Sequence, residues 1–330
     1  MQNKIDFVVL WVDGGDEVWK EKKAKYLPKT KGDTSVARYR DWDTLCYWFR
    51  SVEKNAPWVN RIHLVTDEQI PPWMNTEHPK LHLVSHKDYI PKSCLPLFNS
   101  SAIEIGIGNI PDLAQKFVYF NDDVFLNQPI SPEYYFENGI PVDMAGLTRR
   151  GEVRSTFQHI MQNDDEIINR HFRKREVLQK HFLKWYRPSY GKTFLRTLLV
   201  GWGKEFHGFV IPHMSVPYRM LDITRVWEAE RAVLEETQTH RFRYDTDLNH
   251  YVYRFWRLCI GDFVPRKNKG KYISLCDMRS IDRFEKLLNS KSCPEFCIND
   301  NWRENDFETA KKRLLRAFEK RYPEKSSFEK

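Results

Sequence analysis

The segment that most constrains the fold is Ile5-Asp6-Phe7-Val8-Val9-Leu10-Trp11-Val12, apolar everywhere except Asp6 and ending abruptly at Asp13-Gly14-Gly15-Asp16. A short run of β-branched and aromatic residues closed by a turn suits a buried strand. A strand buried on both faces needs helices on both sides. The sequence supplies them. A charged helix is expected over Glu17–Tyr26, followed by a polar loop from Leu27 to Ala37. An amphipathic helix is expected over Trp42–Lys54, where Leu45, Trp48, Phe49 and Val52 recur near helical spacing. Further strands are expected at Arg61–Thr66, Leu81–Ser85 and Lys116–Phe120, with a helix over Asn99–Ile107 capped by Asn99 or Ser100. Strand and helix thus alternate over the first 130 residues, which predicts an α/β fold with a mostly parallel sheet. Ligands of such sheets bind at the carboxyl ends of the strands. Asp13 and Asp16 follow one strand and Asp122 and Asp123 another, so parallel strands would put both acidic pairs on one edge.

From about residue 150 the character changes, which suggests an α/β half over 1–150 and a helical half over 151–330. Residues 160–205 are rich in Lys, Arg, Phe and Trp and read as helices; Pro212 and Pro217 signal turns or kinks. Helices are expected over 223–262 with a polar break at Arg243–Asp247, then at Asp282–Leu288 and Asp306–Arg321, before a frayed tail over Lys325–Lys330.

The 53 lysines and arginines exceed the 45 acids, for a net charge of +8. That excess fits nucleotide phosphates, an anionic membrane surface or nucleic acid. No helix-turn-helix, zinc-finger or RNP-type pattern occurs, so nucleic acid is not expected as a partner. Basic clusters at Lys20–Lys25, Arg170–Lys180 and Lys311–Arg321 read first as solvated helix faces, and next as a surface resting peripherally on anionic lipid. No apolar run approaches the roughly 18–20 residues of a membrane span. Met1–Phe7 lacks a secretory pattern, and the six cysteines are irregularly spaced. Reduced thiols and a cytoplasmic location, at the inner face of the cell membrane if lipid is touched, are the corresponding expectations.

Several polar residues interrupt this pattern. Asn121-Asp122-Asp123 after a strand is either a strand-ending turn or a holder for a divalent cation on a diphosphate, since hard carboxylate oxygens suit Mg²⁺ or Mn²⁺. Asp13-Gly14-Gly15-Asp16 is either a bare turn or a place where backbone amides approach a phosphate. Asp6, an acid inside an apolar strand, must bond neighbouring groups or accept from a bound base. His213, between Pro212 and Met214, is either structural or a base for a hydroxyl. Arg241, Arg243 and Asp247 offer either surface ion pairs or a guanidinium fork for phosphate. Asn299-Asp300-Asn301 reads as a turn or helix cap.

Together these segments resemble the Stealth family of sugar-phosphate transferases, which includes bacterial capsule polymerases and the α/β subunit of the lysosomal-enzyme GlcNAc-1-phosphotransferase. The first family block is matched by Ile5–Gly14. The second is matched by Arg38-Tyr39-Arg40-Asp41, Arg50–Glu53, Ala56–Val59, Ile62–Thr66, Gln69–Trp73 and Gln115–Val124. Pro212-His213-Met214 with Arg243 and Asp247 resembles the third, and Cys297-Ile298-Asn299-Asp300-Asn301 the fourth. The resemblance implies a GT-A-like nucleotide-sugar-binding fold with helical additions. It implies transfer of hexose-1-phosphate from a UDP-sugar donor to a hydroxyl of an oligosaccharide or polysaccharide acceptor, forming a phosphodiester and releasing UMP. By position, Asp122 and Asp123 would bind Mg²⁺ or Mn²⁺, His213 would be the general base, Arg243 would steady the phosphate, and Asp300 would complete the active site. Asp6, Trp11 and Asp13 would sit at the nucleotide, with Arg38 and Lys116 at the diphosphate. Asp13 stands where the family often carries Asn. Two rival readings are a conventional glycosyltransferase that releases UDP and a non-catalytic carbohydrate-binding protein whose Trp and Tyr residues stack on sugars.

Overall fold

A computed structural model describes residues 4–27, 40–303 and 306–330. In chain order its strands are β1 (Asp6–Leu10), β2 (Ile62–Thr66), β3 (Leu81–Ser85), β4 (Lys116–Asn121), β5 (Val124–Leu126), β6 (Phe136–Glu137), β7 (Ile140–Asp143), β8 (Val216–Arg219), β9 (Val264–Pro265), β10 (Lys271–Leu275) and β11 (Glu295–Asp300). The α-helices are α1 (Glu17–Ala24), α2 (Leu45–Asn55), α3 (Ser100–Ile105), α4 (Thr156–His171), α5 (Lys174–Lys180), α6 (Phe182–Trp185), α7 (Lys192–Val200), α8 (Met220–Thr239), α9 (Tyr251–Ile260), α10 (Met278–Leu288) and α11 (Phe307–Arg321).

The central sheet runs β3-β2-β1-β4-β8, with the first four strands parallel and β8 antiparallel to β4. The expected α/β class with a mostly parallel sheet is therefore present. Successive side chains of a strand point to opposite faces. Phe7, Val9, Val118 and Phe120 enter one core, with apolar residues of α2, α10 and α11; Val8, Phe117 and Tyr119 enter the other, with residues of α3, α4, α8 and α9. That is why these strands read as continuous apolar runs.

None of β5 to β11 was expected as a strand, and two of them contain residues that read as something else. Pro217, taken as a kink signal, lies inside β8 opposite Val118. An edge strand tolerates a residue without an amide proton. Asn299 and Asp300, read as a turn or cap, end β11, which pairs parallel with β10 and antiparallel with β5. Pairing partners from distant sequence made that choice. Strand β8 also carries the second half of the chain into the sheet begun by the first, and all six cysteines are free.

The C-terminal tail is not frayed. Phe328 is buried and packs on Phe49, Glu329 bridges to Met74 and pairs with Arg50 at 2.8 Å, and the Lys330 amide donates to the Trp73 carbonyl at 2.9 Å. The charged residues of the tail hid its one anchoring ring. Phe328→Ala should destabilise the protein by about 3 kcal/mol, read as a lower urea midpoint; an unchanged midpoint would contradict this docking.

Candidate active site

The parallel register aligns Leu10 with Asn121, so the loops after β1 and β4 leave the sheet side by side. A cleft of about 590 Å³ opens there. Its floor is made by Trp11 after β1, Asp67 after β2, His86 after β3 and Asn121-Asp122-Asp123 at the end of β4. His213, Arg243 and Asp300 line the same cleft, although they lie far along the chain.

Asp123 is held from the side of β11. The Ile298 amide donates to the Asp123 carbonyl at 2.9 Å, and the Cys297 thiol donates to Asp123 Oδ2 at 3.2 Å. Asp123 Oδ1 is buried and has no hydrogen-bond partner among the described residues. His213 Nε2 lies 3.9 Å from Asp123 Oδ2, beyond hydrogen-bond range. Asp123, His213 and Cys297 each offer one ligand atom, and these atoms lie within 4.8 Å of one another. An orphaned carboxylate oxygen beside a second carboxylate fits a divalent cation. Asp122 is exposed within the cleft, yet the protein mass around it, then the Asp123 and Asp41 carboxylates, push its carboxyl upward. A cation would relieve that like-charge crowding.

His213 has φ +55°, a left-handed conformation uncommon for a residue with a Cβ. Its loop is pinned on both sides. Arg254 Nη1 donates to the Val210 carbonyl at 3.0 Å, and Ser215 Oγ donates to buried Glu295 of β11 at 2.5 Å. Arg254 and Arg257 of α9 both pair with buried Asp143, so the support is itself rigid.

Arg243 enters the cleft and donates to Ser100 Oγ at 2.5 Å, whereas Arg241 donates to the Leu95 carbonyl and stacks over Tyr26. Asp247 is buried and joins Asn99, His240 and the Tyr244 amide, so it fixes the loop that presents Arg243. Asp300 accepts both arms of Arg40, at 2.7 and 3.0 Å, and the Trp302 amide at 2.8 Å. Trp11 Nε1 donates to Asp41 at 3.2 Å.

Two expected nucleotide contacts are corrected. Asp6 begins β1, about 13 Å from its carboxyl end at ~3.3 Å per residue. It is buried and accepts from Asn60 at 2.6 Å and the Ala114 amide at 2.9 Å, with His63 at 3.0 Å. Burial pushes its carboxyl up, but the bonds from His63, Asn60 and Ala114 prevail and hold it below the usual carboxylate range. Asp6 therefore ties the amino ends of the strands together. Lys116 likewise begins β4, over the Phe136 ring. Asp13 sits beside the cleft and folds back to accept the Gly15 amide at 2.7 Å. Arg38 lies outside the described residues.

The sequence reading missed Glu104. This acid of α3 is buried in the cleft wall, where Tyr119 donates to it at 3.1 Å. Burial pushes its carboxyl up to about 7, against the pull of Arg243, Tyr119 and Ser100. The available signal was an acid inside an apolar helical run, the same kind of anomaly that marked Asp6. Arg40 and Asp41 stood in the second block, but nothing in their spacing disclosed the ion pair with Asp300.

Residues 3–31 match the family profile "Stealth protein CR1, conserved region 1", and residues 38–143 match "Stealth protein CR2, conserved region 2". The capsular polysaccharide phosphotransferase WcwK of Streptococcus pneumoniae is 38% identical over 99% of this chain and 98% of its own length. The chain belongs to the Stealth family of sugar-phosphate transferases. Its Stealth relatives also include the receptor polysaccharide phosphotransferase WefC of Streptococcus gordonii, 40% identical over the whole of both chains. The exopolysaccharide phosphotransferase cps2G of Lactiplantibacillus plantarum is 39% identical over 99% of this chain and 96% of its own. The segments resembling the third and fourth Stealth blocks lie outside the two profile matches. A solved structure of galactosyltransferase LgtC with donor and acceptor sugar analogues overlaps 96% of this chain and 95% of its own at 11% identity, with a TM-score of 0.38.

Glu104 yields a pH prediction. Its folded value of about 7 lies above its ordinary 4.5, so the native state holds a proton that the unfolded state has lost across that window. Its contribution to stability is complete below about 4.5 and is lost as pH rises through about 7. Urea unfolding of wild type and Glu104→Gln across this range should show the variant gaining relative stability as pH rises; a constant difference would contradict a buried, protonated Glu104.

Proposed function

We propose that the protein transfers hexose-1-phosphate from a UDP-sugar to a hydroxyl of a growing capsular or cell-surface polysaccharide, forming a phosphodiester and releasing UMP. The observation that carries this reading is the convergence of Asp122, Asp123, His213, Arg243 and Asp300 on one cleft at the carboxyl edge of the sheet. The 1–150 half would bind the nucleotide sugar, in a GT-A-like arrangement, and the 151–330 half would complete the site on the acceptor side. The work would take place in the cytoplasm, where UDP-sugars are made.

The reaction breaks the bond between the β-phosphorus and the bridging oxygen of the diphosphate. The acceptor oxygen attacks that phosphorus, UMP departs with the bridging oxygen, and the acceptor proton passes to His213. Such a transfer needs in-line placement and charge neutralisation more than a covalent intermediate. Asp122 and Asp123 would hold Mg²⁺ or Mn²⁺, which supplies positive charge to the diphosphate when bound. Arg243 offers a guanidinium to the transferred phosphate, with Ser100 accepting from it and fixing its direction. Asp300 acts through Arg40, whose guanidinium it orients toward the cleft. Trp11 presents an indole, held by Asp41, to the uridine.

His213→Ala and Asp123→Ala should each lower turnover by about 10²-fold, a barrier increase of about 3 kcal/mol, with unchanged circular dichroism. Near-normal turnover by either folded variant would remove that residue from the mechanism. Chelation of divalent cations should stop the reaction, and nucleotide analysis of the wild-type reaction should find UMP. Release of UDP would instead mean attack at the anomeric carbon.

A further inference from the structure

We propose that the outer face of α6 and α7 is a docking surface for an anionic membrane leaflet. Helix α7 is turned inside out. Its one fully buried residue is Thr197, whose hydroxyl donates to the Thr193 carbonyl and accepts the Leu147 amide at 3.0 Å. Its leucines face outward: Leu195 is 59% exposed, Leu198 42% and Leu199 79%. A helix resting on a protein core buries its leucines and exposes its threonines. The reverse arrangement indicates that a second apolar phase lies outside.

Exposed apolar side chains continue on the segments that flank α7 in the chain. Trp202, just beyond the helix, is 87% exposed, and Leu183 of α6 is 78% exposed beside exposed Phe182. The pieces are held in register. Lys174 of α5 donates to the Val200 and Trp202 carbonyls at 3.1 and 3.0 Å, and the Phe182 ring packs 4.8 Å from that of Tyr186.

The charge around the patch selects the occupant. From Arg170 to Lys204 the chain carries ten lysines and arginines and one acid, Glu176. Lys192, Leu195, Arg196 and Leu199 share the outer face of α7, at spacings of three, four and seven residues. Long basic side chains interleaved with leucines can lay their stems on the apolar surface and raise their charges to headgroups. Apolar side chains with a basic fringe suit anionic lipid, in which the rings and leucines enter the acyl boundary while the cations meet phosphates. No helix of the described residues is long and apolar enough to cross a membrane, so the contact is one of lying on the leaflet.

The full chain should sediment with vesicles of phosphatidylcholine mixed with phosphatidylglycerol, be released by added salt, and ignore vesicles of phosphatidylcholine alone. The double variant Leu195→Glu/Leu199→Glu should bind at least about tenfold more weakly, with an unchanged melting temperature because both side chains are exposed. If that variant fails to fold, Trp202→Ala reads the same surface with less disturbance and should also weaken binding. Three results would overturn the proposal: wild type ignores anionic vesicles, the variants bind as tightly as wild type, or light scattering shows that the patch joins two copies of the chain and no vesicle binds.

Discussion

Parallel pairing of β1 with β4 is the constraint on which the site depends. Parallel neighbours leave the sheet in the same direction, so the residues after Leu10 and those after Asn121 share one edge. Had β4 run the other way, Asp122 and Asp123 would sit at the amino end of β1, beside Asp6. The amino ends are tied by Asp6 itself, whose carboxylate gathers Asn60, His63 and the Ala114 amide. A buried acid with several donors holds a register firmly, because losing one donor leaves an unsatisfied charge. The two ends of the sheet thus divide the work. The amino ends carry a closed polar lock, and the carboxyl ends carry a cleft in which Asp123 keeps an unsatisfied oxygen.

The cleft is completed by segments that the sheet alone could not position. Strand β11 holds Asp123 through Ile298 and Cys297, presents Asp300 to Arg40, and receives Ser215 on Glu295. Helix α9 braces the other side of the His213 loop through Arg254, which is neutralised by Asp143. Asp143 also meets Arg257, which reaches Asp222 of α8 at 3.3 Å. A buried ion network of this kind contributes little net stability over well-packed apolar residues, but removing one member is costly. Its use here is to fix where a left-handed histidine points.

The first half of the chain was legible because local pattern and tertiary role agree there. The apolar runs at β1, β2 and β4 are buried on both faces, and the amphipathic spacing of α2 matches a helix packed on one side of the sheet. The second half was less legible for a physical reason. Strand β8 contains a proline, and β11 ends in residues that favour turns, so their conformation comes from partners rather than propensity. The tail misled for the same reason: a charged stretch with one phenylalanine looks unanchored until the pocket between Phe49 and His78 is known.

By itself the sequence determined the fold class, the family, and that Asp122 and Asp123 follow a strand, since each rests on residues adjacent in the chain; that the strand runs parallel to β1, and so brings them to its carboxyl edge, came from the fold. Only the tertiary structure decided that Asp6 and Lys116 lie at the far end of the sheet. It also decided that Arg40 engages Asp300, that Glu104 is a buried acid, and that α7 shows its leucines to the outside. Those facts depend on which strand runs beside which and which helix face has a neighbour. Side-chain pattern announces a buried surface, but burial of a particular charge, and the partner that balances it, exists only once distant segments have met.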